Sequence, residues 1–223
     1  MINELEVSIR KPRSAEDYQQ TISEVLATAQ EMENILEDLL LLARMEAGQK
    51  SLDLRPVNLR HMIDESWNRL QNEGQGEAAT KSGASASSES KAMGQSFPPG
   101  IKFYNEIDPA IVIRADSNQL RRAWLNLLKN AINYNEPDGE IRIRADRQDD
   151  KVVVTVSNTG PGIPPDKLPF IFDRFYRASH YYSEAGGAGL GLSIAKAIIE
   201  LYGGTIRASS QPGLTTFEIT LPL

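Results

Sequence analysis

Three asparagines, Asn126, Asn130 and Asn133, recur at steps of four and three along a segment that otherwise reads as an amphipathic helix capped by Asp116. At about 100° per residue the three amides fall within a ~60° sector. Leu120, Trp124, Leu127 and Ala131 form an apolar stripe on roughly the other side. Such a helix must bury one flank in a core and turn the other toward something polar. Asparagine has poor helix propensity and gains little on a helix without a partner. A hard cation and phosphate oxygens would be partners, because amide carbonyls coordinate Mg²⁺ while most of its shell stays water or phosphate. Taken alone, the row is equally compatible with a solvated polar face.

Two glycine-bearing segments follow. Val152–Val156 reads as a buried strand that runs out at Asn158-Thr-Gly160-Pro-Gly162-Ile163. Glycines there permit a tight backbone path beside a flat ligand, and Asn158 could exchange hydrogen bonds with a purine edge. Further on, Gly186-Gly187-Ala188-Gly189-Leu190-Gly191-Leu192 leads into a helix expected over about Leu190–Tyr202. Unobstructed N–H groups at a helix start form a ready anion site. Between them stands Phe172-Asp-Arg-Phe-Tyr176-Arg177, and Ser179–Ala185 is small or polar enough for a mobile lid. Arg174 and Arg177 are candidates to anchor that lid or reach phosphate, while Phe172 and Phe175 read as structural anchors. Each segment singly is weak.

The N-terminal part has another character. Residues 14–47 form one helical pattern, with Ser14 as N-cap and Glu16 and Asp17 in the first turn, where the helix dipole favours anions. Ile22, Val25, Ala29, Met32, Leu36, Leu39 and Ala43 alternate at three and four, a heptad seam. Leu26, Ile35, Leu40 and Leu42 widen it to a stripe suited to a four-helix bundle, the alternative being a helix packed on its own domain. Residues 2–10 read as the tail of a preceding helix and Gly48 as its successor's end. Asn58 can cap a short helix bearing Leu59, Met62, Ile63, Trp67 and Leu70. From about 71 to 100 the chain turns to Gly, Ser, Ala and Glu, read as a flexible insertion. Strand-like segments at 101–107, 111–114, 140–146, 151–157, 205–209 and 215–221 complete an α+β pattern, a two-layer α/β sandwich.

In this order the four segments resemble the N, G1, F and G2 boxes of the catalytic ATP-binding domain of sensor histidine kinases. The resemblance covers about 56–223, giving a catalytic domain at 55–223. Residues 1–54 resemble the later part of that family's dimerisation and phosphotransfer hairpin. It implies the histidine kinase/Hsp90-type fold, preceded by a helical hairpin of a dimeric four-helix bundle. It also implies ATP and Mg²⁺ as cofactors, with Asn130 as the metal ligand and Asn126 beside it on the phosphate face. Tyr134 would lie near the nucleotide, Asn158 would read the adenine amine, and Gly187, Gly189 and Gly191 would form the lid hinge. Gly160, Gly162, Ile163, Tyr176, Arg177, Leu190 and Leu192 complete the implied nucleotide site.

Three departures bear on chemistry. The family's usual G1 aspartate is Asn158, which lacks charge assistance at an expected loss of about 1 kcal/mol. A Lys or Arg common at position 133 is Asn133. The H-box histidine would precede residue 1, so no catalytic phosphoacceptor is expected within the chain. His61 and His180 are not expected to replace it. The expected reaction is transfer of the γ-phosphoryl to a histidine outside this chain, for relay to a response-regulator receiver aspartate. The alternatives are a non-catalytic nucleotide-binding or dimerising module and an ATPase of the same fold. ATPases of that fold place a glutamate at position 126, a base that asparagine cannot be.

Composition narrows the setting. Residues 1–54 hold 11 acids against 5 bases while the rest is balanced, which disfavours nucleic acid as the main partner. No apolar run is long enough to span a membrane, and zero cysteines exclude disulfides and thiolate metal sites. A cytoplasmic location is expected, with a parent protein that could be membrane-anchored. Homodimerisation through the N-terminal helices is expected to be weak, because most of the first helix is missing.

Overall fold

The computed structural model describes residues 14–47, 52–81, 98–177 and 188–223, with only the backbone of 46 and 73–81. The expected helix tail at 2–10, Gly48, residues 82–97 of the insertion, the lid at 179–185, His180 and Gly187 lie outside the described residues.

Helix α1 (Ala15–Glu46) opens with a capping box: Ser14 Oγ accepts from the Asp17 N–H at 3.1 Å, and Asp17 accepts from the Ser14 N–H. No Gly or Pro interrupts its 32 residues. Its broad seam is divided in use. Leu41 and Leu42 are buried in the same hydrophobic core as residues 59–221, with Ile35, Leu39 and Met45 packed against it. Ile22, Leu26, Met32, Leu36 and Leu40 remain exposed.

β1 (Arg55–Asn58) pairs antiparallel with β3 (Val112–Ala115) in a small separate sheet. The sequence pattern does not show β1, because Pro56 within a four-residue segment reads as a boundary. Helix α2 (Leu59–Lys81) is capped as expected, the Asn58 Oδ1 accepting from the His61 N–H at 2.9 Å. It runs eleven residues, 71–81, into the segment expected to be a flexible insertion. A helix already nucleated adds a hydrogen bond for each residue fixed, so low apolar content does not end it.

The main sheet has the order β2-β4-β5-β7-β6, from β2 (Lys102–Asn105), β4 (Glu140–Gln148), β5 (Lys151–Gly160), β6 (Thr205–Gln211) and β7 (Gly213–Pro222). Only the β2–β4 pairing is parallel. Strict alternation along β5 buries Val152, Val154, Val156 and Asn158 on one face. Helices α2, α3 (Ser117–Asn133) and α4 (Gly191–Leu201) cover that face, α3 packing on both other helices. Trp124, Leu127, Ile141, Phe217 and Ile219 fill the space between the layers. The result is the expected two-layer α/β sandwich.

Candidate nucleotide site

The C-terminal half of α3, the end of β5 and the start of α4 converge. Asp116 starts α3 by accepting from the N–H groups of Asn118 and Gln119. Leu120, Ala123, Trp124, Leu127, Leu128, Ala131 and Ile132 are buried, which leaves Asn126, Asn130 and Asn133 half-buried along one flank. Asn126 faces the next helix: a Cβ added to Gly191 would come within 3.5 Å of its Oδ1. Its Nδ2 is buried and has no hydrogen-bond partner among the described residues. Helix α4 begins at Gly191 with Leu190 in the N-cap position and no side-chain cap, so its first N–H groups are not claimed by a capping residue. A phosphate oxygen could satisfy both kinds of donor.

The other end is built around Asn158, which is 3% exposed. Its Nδ2 donates to the carbonyl oxygens of Thr159 at 2.8 Å and Tyr134 at 3.5 Å. Two carbonyl neighbours leave the amide no choice of orientation, since only the nitrogen can donate to them. Oδ1 is thereby left buried and without a partner among the described residues. A buried acceptor costs free energy until it meets a donor, so an exocyclic amine is a matching ligand group. Gly160 (φ +143°) presses on the same place, where a Cβ would lie 2.2 Å from the Tyr134 oxygen. At Gly162 (φ +79°) a Cβ would come within 2.8 Å of the Gln211 oxygen. Ile163 is held by its N–H donating to Ser210 Oγ at 2.8 Å.

Gly189 is the third crossing point. Its φ is +72°, and a Cβ there would meet the Phe175 carbonyl carbon at 2.9 Å. Its oxygen accepts from the Phe175 N–H at 3.0 Å, and Phe175 itself has a φ of +62°. The expectation that both phenylalanines anchor the loop through their rings holds for one of them. Phe172 packs edge-on against Phe217, while the Phe175 ring is exposed and the residue contributes its backbone. Tyr176 packs its ring on Phe170, and Arg177 is exposed. Leu190 is buried and Leu192 half-buried against the core.

Two residues outside the expected set belong to this region. Asn135 Oδ1 accepts from Thr159 Oγ1 at 2.5 Å, and Thr159 Oγ1 accepts from the Glu140 N–H at 2.8 Å. Each adjoins a motif residue, but their pairing across 24 positions leaves no sequence signal. Among the described residues no group of three or more His, Cys, Asp or Glu could hold a metal. A magnesium ion would therefore depend on an amide such as Asn130 together with phosphate and water, which is acceptable chemistry for that ion.

Residues 115–223 match the family described as histidine kinase-, DNA gyrase B-, and HSP90-like ATPase. The circadian input-output histidine kinase CikA of Synechococcus elongatus is 31% identical over 191 residues, covering 84% of this chain and 23% of that protein. The solved mycobacterial sensor histidine kinase MprB superposes with a TM-score of 0.58 at 28% identity, covering 76% of this chain and 97% of that one. The histidine kinase ThkA, solved in complex with the response regulator protein TrrA, shares the fold with a TM-score of 0.67 at 22% identity, over 99% of this chain and 56% of that one. The chain spans between 23% and 43% of the length of the curated relatives it resembles.

Proposed function

Since the chain belongs to the sensor histidine kinases through its ATPase-type domain at 115–223, we propose that it binds Mg-ATP between α3, the end of β5 and the start of α4, and transfers the γ-phosphoryl to a histidine not present in this chain. The observation that carries this is the pair of buried atoms at opposite ends of the site that have no partner among the described residues, the Asn158 acceptor and the Asn126 donor. Asn158 would accept from the adenine amine. Asn126 and the uncapped start of α4 would meet phosphate oxygens. Asn130 would hold magnesium, which when bound neutralises charge on the phosphates. Tyr134, Gly160, Gly162 and Ile163 shape the base end. Gly189, Leu190, Gly191 and Leu192 would make the phosphate-side turn, with Tyr176 and Arg177 beside it, and Gly187 is assigned to the lid hinge by resemblance alone. Histidine is favoured as acceptor over water because Asn126 cannot act as the base a hydrolase would need. The parent protein would pass the phosphoryl group to a receiver-domain aspartate.

Dimerisation belongs to the same proposal. The exposed stripe on α1, with Ile22 62%, Leu26 56%, Met32 58% and Leu36 58% accessible, suits the helix of a second copy in a four-helix bundle.

The test mixes the chain with ATP carrying radioactive phosphorus at the γ position and with a separate helical hairpin bearing the histidine. Acid-labile, base-stable label on the hairpin is the expected result. Nucleotide binding with no transfer would favour a non-catalytic module, and release of inorganic phosphate alone would favour an ATPase.

A further inference from the structure

Asn158 has a single buried acceptor to offer a purine, and what fixes that acceptor is a contact between two side chains outside the amide row. Its Nδ2 is held by two carbonyl oxygens, one from Tyr134 and one from Thr159. These belong to different elements, the C-cap of α3 and the end of β5. Their separation decides whether one amide can reach both. Next to Tyr134, Asn135 reaches across and accepts the Thr159 hydroxyl proton at 2.5 Å. The orientation of Asn135 is unambiguous, because its Oδ1 also accepts from the Glu136 N–H at 3.0 Å and its Nδ2 donates to the Glu140 oxygen at 3.3 Å. The Thr159 hydroxyl has one proton and two acceptors in reach, Asn135 Oδ1 at 2.5 Å and the Glu140 oxygen at 3.4 Å, of which the shorter contact is to Asn135; its oxygen accepts from the Glu140 N–H. There is no room for this tie to be rearranged over a larger residue, since a Cβ on Gly139 would lie 2.2 Å from Asn135 Oδ1 and 2.3 Å from Thr159 Oγ1.

We infer that the Asn135–Thr159 hydrogen bond is a specificity device: Asn135 and Thr159 are positioning residues that hold the Asn158 carbonyl toward the base and thereby select purines carrying a 6-amino group. This rests on the proposed nucleotide site. Neither residue needs to touch the nucleotide. Losing the tie lets the Tyr134 and Thr159 oxygens separate, so the amide keeps one carbonyl and Oδ1 is no longer fixed. Binding through the phosphates is untouched, so the selective loss falls on the amino group.

The experiment is calorimetric titration of the 223-residue chain with Mg-ATP and with Mg-purine riboside triphosphate, which lacks the 6-amino group. The wild-type protein is expected to prefer ATP by roughly two- to tenfold, the value of one hydrogen bond. Thr159→Val should bring that ratio close to one with little change for the deaminated analogue, and Thr159→Ser, which keeps the hydroxyl, should restore it. Asn135→Ala removes the same bond from the other side and should reproduce the valine result should that variant fold poorly. A purely structural role would weaken both nucleotides alike and leave the ratio intact; that outcome, in folded variants, overturns the inference. Wild-type binding of both triphosphates with equal affinity also overturns it while leaving the nucleotide site in place. Absence of binding by either would remove the site and the inference together.

Discussion

Asp38 on α1 forms an ion pair with Arg122 on α3, one helical turn before Asn126 on the helix that carries the amide row. The pair is partly buried, and beside it Leu41 and Leu42 enter the hydrophobic core. The long N-terminal helix is thus docked against the α3–α4 layer near the candidate phosphate end. An ion pair of this exposure contributes about 1 kcal/mol or less, whereas truncating a buried leucine costs about 2–5 kcal/mol. Leu42→Ala is therefore expected to loosen α1 far more than Asp38→Asn. Hydrogen exchange along 30–46 reads this directly, and equal acceleration in the two variants would show that charge dominates the docking.

Gly189 and Gly203 provide an internal comparison. Both have a φ of +72°, but a Cβ on Gly189 meets Phe175 backbone at 2.9 Å while one on Gly203 meets nothing within 4 Å. Gly203→Ala should cost about 1–2 kcal/mol of stability, the strain of the left-handed conformation alone. Gly189→Ala should displace the Phe175 backbone as well and weaken Mg-ATP binding several-fold. Thermal denaturation with nucleotide titration separates the two effects. Equal behaviour of the variants would remove Gly189 from the site.

Asn158→Asp restores the aspartate usual in the family's G1 box, and by charge alone it should strengthen the site. The geometry predicts the reverse. A carboxylate oxygen in place of Nδ2 would face the Thr159 and Tyr134 carbonyl oxygens at 2.8 and 3.5 Å, with no proton to share. The variant is expected to lose about 1–3 kcal/mol of stability at neutral pH, measured by urea denaturation. Unchanged stability would mean that these carbonyls readily turn away.

Tyr202 ties the far ends of the two site helices together. Its hydroxyl accepts from the Asp116 N–H at 3.1 Å and donates to the Asp116 oxygen at 3.0 Å. Burial pushes its phenol up from 10 to about 12. The folded protein thus holds the neutral phenol where the unfolded chain would ionise. The stabilisation is fully present below about pH 10 and is lost as the pH rises toward 12. Tyr202→Phe should be about 1–2 kcal/mol less stable at pH 8 and should lose less stability over the alkaline range than the parent. Parallel alkaline profiles would contradict this.

Elements were legible where a local rule decides them. Ser14, Asn58 and Asp116 accept from first-turn N–H groups as their positions suggest. The 3.6-residue period of α3 placed Trp124 and Leu127 inside and the amides on the flank. β1 was missed because a four-residue strand containing Pro56 depends on its partner β3 for existence. The length of α2 was missed because composition measures how much a segment can bury, whereas helix extension depends on its neighbour already being helical. The α1 seam was legible as a stripe, but its partition between the core and an exposed flank was not.

By itself the order of residues picked out the amides and glycines of the candidate site, since helix period, capping and left-handed turns act over a few neighbours. Only the tertiary structure decided how Asn158 is oriented, which atoms are left without partners, and that Asn135 meets Thr159. Those facts depend on the register at which α3 approaches the end of β5, and that register is set by packing of the whole layer on the sheet.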